Sequence, residues 1–92
     1  MKIRLGFVSN SSNSSFVIDR YFLTEEQTMA IIEHIEYAKQ ILGWEINENC
    51  IPWNITLSHG VLFGDVSIDN FDMKKFMEEI NVNMTKVRFE KH

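Results

Sequence analysis

The sequence predicts an α+β domain, and three observations predict it. Apolar residues alternate with polar ones at a period of two in several short stretches, they recur at helical spacing in two longer ones, and turn-forming residues separate the two kinds. A chain of 92 residues fits one domain, residues 1–92, built on one core.

Ile3, Leu5 and Phe7 alternate with Lys2, Arg4 and Gly6, the pattern of a half-buried strand over residues 2–8. Seven consecutive Ser or Asn residues follow, Ser9 to Ser15, and are expected to form a polar connection whose side chains bond local backbone groups. Phe16, Val17 and Ile18 then open a second strand, expected to run to Phe22. Thr24 and Gln27 make a capping pair, with Glu25 and Glu26 in the first turn, where the helix dipole favours acids. The helix they start has a core stripe of Ile31, Ile35, Ala38 and Leu42, widened by Ile32 and Ile41, and Gly43 stops it.

Residues 44–52 hold Asn47, Asn49 and the only proline, so they read as a loop that carries Trp44 and Cys50. Trp53, Ile55 and Leu57 alternate with Asn54 and Thr56, Ser58-His59-Gly60 supplies a turn, and Val61 to Ile68 returns as the second arm of a hairpin. Asp69 or Asn70 is expected to cap a second helix. Met73, Phe76, Met77 and Ile80 form its buried face at i, i+3, i+4 and i+7, with Lys74/Glu78 and Lys75/Glu79 as surface pairs. A last strand is expected over residues 86–90. The order is ββαββαβ. Its last six elements match the split βαββαβ plan, an antiparallel sheet with two helices on one face, ferredoxin-like or related. The other face, expected to carry Tyr21, Trp53, Phe63 and Phe89, is a plausible surface for a homodimer.

The net charge of −4 is unevenly spread. Residues 21–73 carry nine acids against one base, Lys39, and the flanks are each +2. Phosphate neutralisation needs clustered Lys and Arg, and the largest grouping is Lys74 with Lys75, so no nucleic-acid partner is expected. Most of the acidic block is expected to be solvated helix surface, with a surface for a basic partner as the sharper option. No apolar run approaches the roughly 18–20 residues that span a bilayer, and no apolar segment follows Lys2 and Arg4, so neither membrane insertion nor export is expected. The single cysteine, Cys50, excludes an internal disulfide and points to a reducing, cytoplasmic setting.

Candidate chemistry is sparse. The stretch from Asp65 to Asp72 is rich in carboxylates, as a calcium loop is, but it lacks glycine at its sixth position and has Phe76 where the twelfth calls for glutamate. Asp65 and Ser67 are expected on one strand face instead, with Asp69 and Asn70 as caps. His34, His59 and His92 have no partner at metal-ligand spacing. Cys50 becomes a nucleophile only if His34 or His59 activates it in space. No serine stands in a strained nucleophile elbow, and no glycine-rich phosphate loop is present. Neither an enzyme nor a cofactor is expected.

The run from Arg4 to Phe16, which contains Gly6-Phe7-Val8-Ser9-Asn10-Ser11-Ser12-Asn13-Ser14-Ser15-Phe16, is more distinctive. It resembles the GFVSNSSSSSF opening of a group of small, mostly uncharacterised proteins of tailed bacteriophages and prophage-bearing bacteria, departing from it at Asn13, where serine is usual. Leu23 to Gln27 and Ser67 to Met73 also look like members of that group. The resemblance implies a viral or mobile-element origin and carries no residue roles with it.

The expected function is therefore that of a non-enzymatic phage accessory protein that binds a host bacterial protein, as a host-takeover or anti-defence inhibitor. The alternative is a small binding module for an anionic ligand such as a nucleotide, held by the Ser/Asn loop. The candidate loop residues are Arg4, Ser9, Asn10, Ser11, Ser12 and Arg20, which offer hydroxyls, backbone N–H groups and charge. The candidate acidic partner surface is Glu33, Glu36 and Asp65.

Overall fold

The computed structural model describes residues 13–91. The expected strand over residues 2–8 and most of the Ser/Asn connection lie outside the described residues.

Strand β1 (Ser14–Asp19) alternates as its sequence demands, with Ser14, Phe16 and Ile18 buried. It starts two residues earlier than expected, so the Ser/Asn run does not end as a connection. Ser14 is in the ladder, and its hydroxyl donates to Asp69 Oδ2 at 2.8 Å. β1 also stops before Phe22: the Asp19 carboxylate accepts the Tyr21 N–H and turns the chain into a 3-10 turn, Arg20–Phe22.

Thr24 caps helix α1 (Glu25–Ile32) with the full reciprocal box, its hydroxyl accepting the Gln27 N–H and the Gln27 side chain accepting the Thr24 N–H. Gln27 Nε2 also donates to the carbonyls of Ile80 and Asn81, tying this helix start to the end of the last helix. The single long helix expected from Thr24 is broken at Glu33 (φ −109, ψ 41), and helix α2 (His34–Gln40) follows. The physical reason is one side chain. The carbonyl of Ile31 accepts the imidazole Nδ1–H of His34 at 2.7 Å, a side-chain donor where a continuous helix needs the backbone N–H of Ile35. Ile31 and Ala38 are buried as expected, whereas Ile32 and Ile41 are exposed instead of widening the core stripe. Gly43, at φ 73, ends the helical layer, and the Trp44 N–H reaches back to the Ala38 carbonyl.

Strands β2 (Asn54–Ser58) and β3 (Val61–Val66) form the expected hairpin. Its two-residue turn has positive φ at both His59 (53) and Gly60 (78), the primed geometry that matches strand twist. Helix α3 (Met73–Glu79) buries Met73, Phe76, Met77 and Ile80 as their spacing predicts. Its cap is Asp72, which accepts the Lys75 N–H, and neither Asp69 nor Asn70. Asp69 is committed to Ser14, while the Asn70 side chain bonds the N–H of Ile51 and the carbonyl of Asn49. The two expected Lys–Glu pairs on α3 do not form, since the only ion pair among the described residues joins Lys91 to Asp69 at 4.0 Å. A second 3-10 turn, Met84–Lys86, leads into strand β4 (Arg88–Lys91).

The result is an α+β fold with three helices and a four-stranded antiparallel sheet in the order β2-β3-β1-β4. One face of the sheet carries Phe16, Ile18, Leu62 and Val66 into a core shared with Ile31, Ala38, Phe76 and Met77 from the helices. The opposite face carries Val17, Val61, Phe63 and Thr56, with Asp65, Arg88 and Glu90 among them. Of the four aromatics expected there, only Phe63 is present, 41% exposed. Trp53 and Phe89 pack on the core side, their rings 5.5 and 5.7 Å from that of Phe16, and Tyr21 lies in the first 3-10 turn. No helix among the described residues is long and apolar enough to cross a membrane.

Candidate functional site

Of the expected loop set, Arg4, Ser9, Asn10, Ser11 and Ser12 lie outside the described residues. Arg20 is exposed, and its backbone N–H donates to the Gly60 carbonyl at 2.8 Å, which places it at the hairpin end of the sheet. Beside it, Tyr21 is 85% exposed and meets Phe22 edge to face, while Lys86 Nζ sits 4.8 Å over the Phe22 ring.

The expected acidic set divides between two layers. Glu33 and Glu36 are exposed on the helical layer, where Glu36 accepts from Gln40 Nε2 at 3.0 Å. Asp65 projects from the open sheet face and accepts from Asn54 Nδ2 at 3.2 Å. The sheet separates them, so they do not form one surface.

A different acidic grouping does form. Glu25, Glu26, Met29, Glu33 and Tyr37 line a shallow depression of about 410 Å³ on the outer surface of α1 and α2, with Ala30 at its floor. Glu25, Met29, Glu33 and Tyr37 recur every fourth residue, which puts them in one row along the helical surface despite the break at Glu33. Met29 is 49% exposed, an apolar side chain flanked by carboxylates. Among the described residues none of Glu25, Glu26 and Glu33 is in an ion pair. The spacing of four was visible in the sequence. Attention to acids alone conceals it, because the row mixes acids with Met29 and Tyr37.

The larger groove, about 670 Å³, lies between residues 44–50 and the approach to α3. Its wall is Trp44, whose indole N–H donates to Glu79 Oε1 at 3.1 Å and whose ring meets Phe71 at 5.4 Å, with Lys75 Nζ 5.6 Å from the ring. Both the cation and the acid of the expected α3 pair are thus drawn onto Trp44. Cys50 also lines this groove, and its Sγ is 3.6 Å from the Asn70 carbonyl. Burial pushes the thiol up from its ordinary pKa, away from thiolate.

His34 does not activate Cys50. Its Nε2 accepts the Trp53 backbone N–H at 3.0 Å while Nδ1–H donates to Ile31, so both ring nitrogens are committed to backbone groups. Burial holds the imidazole below its ordinary pKa, and the Ile31 carbonyl, which favours the charged form, opposes this only in part. His59 shares its Nδ1 with the Ser58 hydroxyl at 2.8 Å in the hairpin turn. The carboxylates from Asp65 to Asp72 likewise have separate duties: Asp65 meets Asn54, Asp69 meets Ser14 and Lys91, and Asp72 caps α3.

No family model, curated protein or solved structure matches the chain.

Proposed function

We propose that this protein is a phage-encoded accessory factor that binds a host bacterial protein in the cytoplasm, without catalysis, and so acts as a host-takeover or anti-defence inhibitor. The observation that carries this reading is the row Glu25, Met29, Glu33 and Tyr37, in which carboxylates without an ion-pair partner among the described residues border an exposed methionine. Such a surface complements a basic segment with an apolar tip: the charges steer encounter, and Met29 offers an adaptable apolar contact. The phage-like opening Gly6 to Phe16 supports the viral setting, and the lone cysteine suits a reducing compartment. The strand order β2-β3-β1-β4, with helices in both crossovers, supports a ferredoxin-like assignment, a scaffold that presents one helical surface rigidly.

The test compares capture from bacterial lysate by the wild type, by a Glu25→Lys/Glu33→Lys variant and by an Asp65→Lys control on the other layer. A partner bound by the wild type and the control, lost by the double variant and released by salt supports the reading. A partner retained by the double variant, or none at all, overturns it.

A further inference from the structure

We propose that edge strand β2 pairs with β2 of a second copy of this chain, antiparallel about a two-fold axis at Thr56, so that two four-stranded sheets become one continuous sheet. The inference stands apart from the partner surface on α1 and α2 and rests on the geometry of the hairpin.

Among the described residues β2 is one edge of the sheet, bonded only to β3. A two-residue turn with two positive φ values makes its flanking pair, Ser58 and Val61, the hydrogen-bonded closing pair. Backbone direction alternates along an antiparallel strand, so Asn54, Thr56 and Ser58 turn their N–H and C=O groups toward β3. Ile55 and Leu57 turn theirs outward. The position of Trp53 agrees with this phase: its outward N–H is the one that His34 Nε2 accepts. Beyond that point no other described backbone group reaches the outward N–H and C=O of Ile55 or Leu57.

Natural sheets protect such edges with charge, proline or a covering element. β4, the opposite edge, carries Arg88, Glu90 and Lys91 in four residues. β2 is Asn-Ile-Thr-Leu-Ser, with neither charge nor proline. This composition fits a second copy better than any other occupant because it is self-complementary in the register the backbone permits. With the axis at Thr56, Ile55 faces Leu57 of the other copy on the helix side of the sheet, and Asn54 faces Ser58 on the open side. Ile55 and Leu57 form hydrogen-bonded pairs with each other's counterparts, which satisfies all the outward groups. Thr56 meets its own counterpart in the non-hydrogen-bonded position, where side chains approach most closely and Thr–Thr pairs are favourable. No like charges meet, and the interface is isologous as a two-fold dimer requires.

The experiment measures the mass of the intact chain by size-exclusion chromatography with light scattering, across a dilution series reaching millimolar protein. The expected result is a concentration-dependent dimer, twice the 10.8 kDa chain. Thr56→Lys sets two ammonium groups against each other at the axis, on an exposed side chain outside the core, and is expected to leave only monomer. In a Cys50→Ser background, Thr56→Cys is expected to cross-link to its counterpart on mild oxidation, and Asn54→Cys, displaced from the axis, is not. A monomer throughout the series overturns the proposal, whether another segment or another protein takes the edge or nothing does. A dimer that survives Thr56→Lys, or cross-linking by Asn54→Cys equal to that by Thr56→Cys, overturns it too, because the copies would then meet elsewhere.

Discussion

The imidazole of His34 joins the carbonyl of Ile31, at 2.7 Å, to the backbone N–H of Trp53, at 3.0 Å. One side chain thereby breaks the helical layer at Glu33 and sets where the chain enters β2. It is 2% exposed and packed edge to face on Phe71 and Phe76. Because the Trp53 N–H is a donor, Nε2 must be the unprotonated nitrogen. A proton added there puts two donors face to face.

A pH dependence of stability follows. In the unfolded chain His34 titrates near 6.5, and in the folded chain burial lowers it. Between the two values the unfolded state binds the additional proton, so this contribution is complete above about pH 6.5 and is lost as pH falls toward the folded value. Urea unfolding from pH 5 to 8 is expected to show stability rising with pH up to that point. His34→Phe keeps the ring volume but leaves the Trp53 N–H and Ile31 carbonyl without the imidazole, at a cost of about 1–3 kcal/mol at pH 8. Its curve is expected to be flatter than the wild type's below pH 6.5. An equal slope in both proteins rules out His34 as the source.

Gly64 is required by close approach rather than by an unusual φ. A Cβ there meets the Phe16 ring at Cε2, lies 2.7 Å from Phe16 Cζ, and is 3.0 Å from Ile55 Cδ1. Phe16 cannot retreat, because it is 1% exposed and packed between Trp53 and Phe89. Gly64→Ala is therefore expected to cost about 1–3 kcal/mol, the range for overpacking a filled core. Thermal unfolding by circular dichroism checks this, and an unchanged Tm shows that the ring has room to move.

Elements set by local periodicity were legible in the sequence, and those set by distant partners were not. Met73, Phe76, Met77 and Ile80 are buried together because their spacing alone puts them on one helix face. The β2–β3 hairpin was equally visible, since Ser58-His59-Gly60 interrupts two alternating runs. The α3 cap was not, because Asp69, Asn70 and Asp72 are all competent. The choice falls to Asp72 once Ser14, 55 residues away in sequence, has engaged Asp69. The helix break was hidden for the same reason: its cause is an imidazole held by Trp53, 19 residues on. At the candidate site, charge alone groups Glu33 and Glu36 with Asp65, which lies on the other layer, whereas the spacing of four is what sets Glu25 beside Glu33.

The hairpin turn is expected to respond in opposite directions at its two residues. Both have positive φ, which glycine accepts freely and asparagine tolerates better than histidine. Gly60→Ala puts a Cβ into that conformation and is expected to cost about 1–2 kcal/mol, although the space around it is open. His59→Asn is expected to stabilise by a few tenths of a kcal/mol, on the order of 0.5, by completing the Asn-Gly pair that such turns prefer. Denaturation midpoints of the two variants check the pair, and a stable Gly60→Ala shows that the turn changes type at little cost.

Ser14, at the end of the Ser/Asn run, is expected to matter for folding. Ser14 is 5% exposed and donates to Asp69 Oδ2 at 2.8 Å, while Lys91 lies 4.0 Å from the same oxygen. This contact links β1 to the approach to α3, and the Ser14–Lys91 pairing holds β4 beside it. Ser14→Ala removes a hydrogen bond to a charged acceptor in a partly buried place and is expected to cost about 1.5–3 kcal/mol. Replacement of the whole run from Ser9 to Ser15 therefore mixes a folding defect with any loss of recognition. Unfolding free energies of the wild type and Ser14→Ala at pH 7 test this account, and a cost below about 0.5 kcal/mol shows that the Ser14–Asp69 contact contributes little.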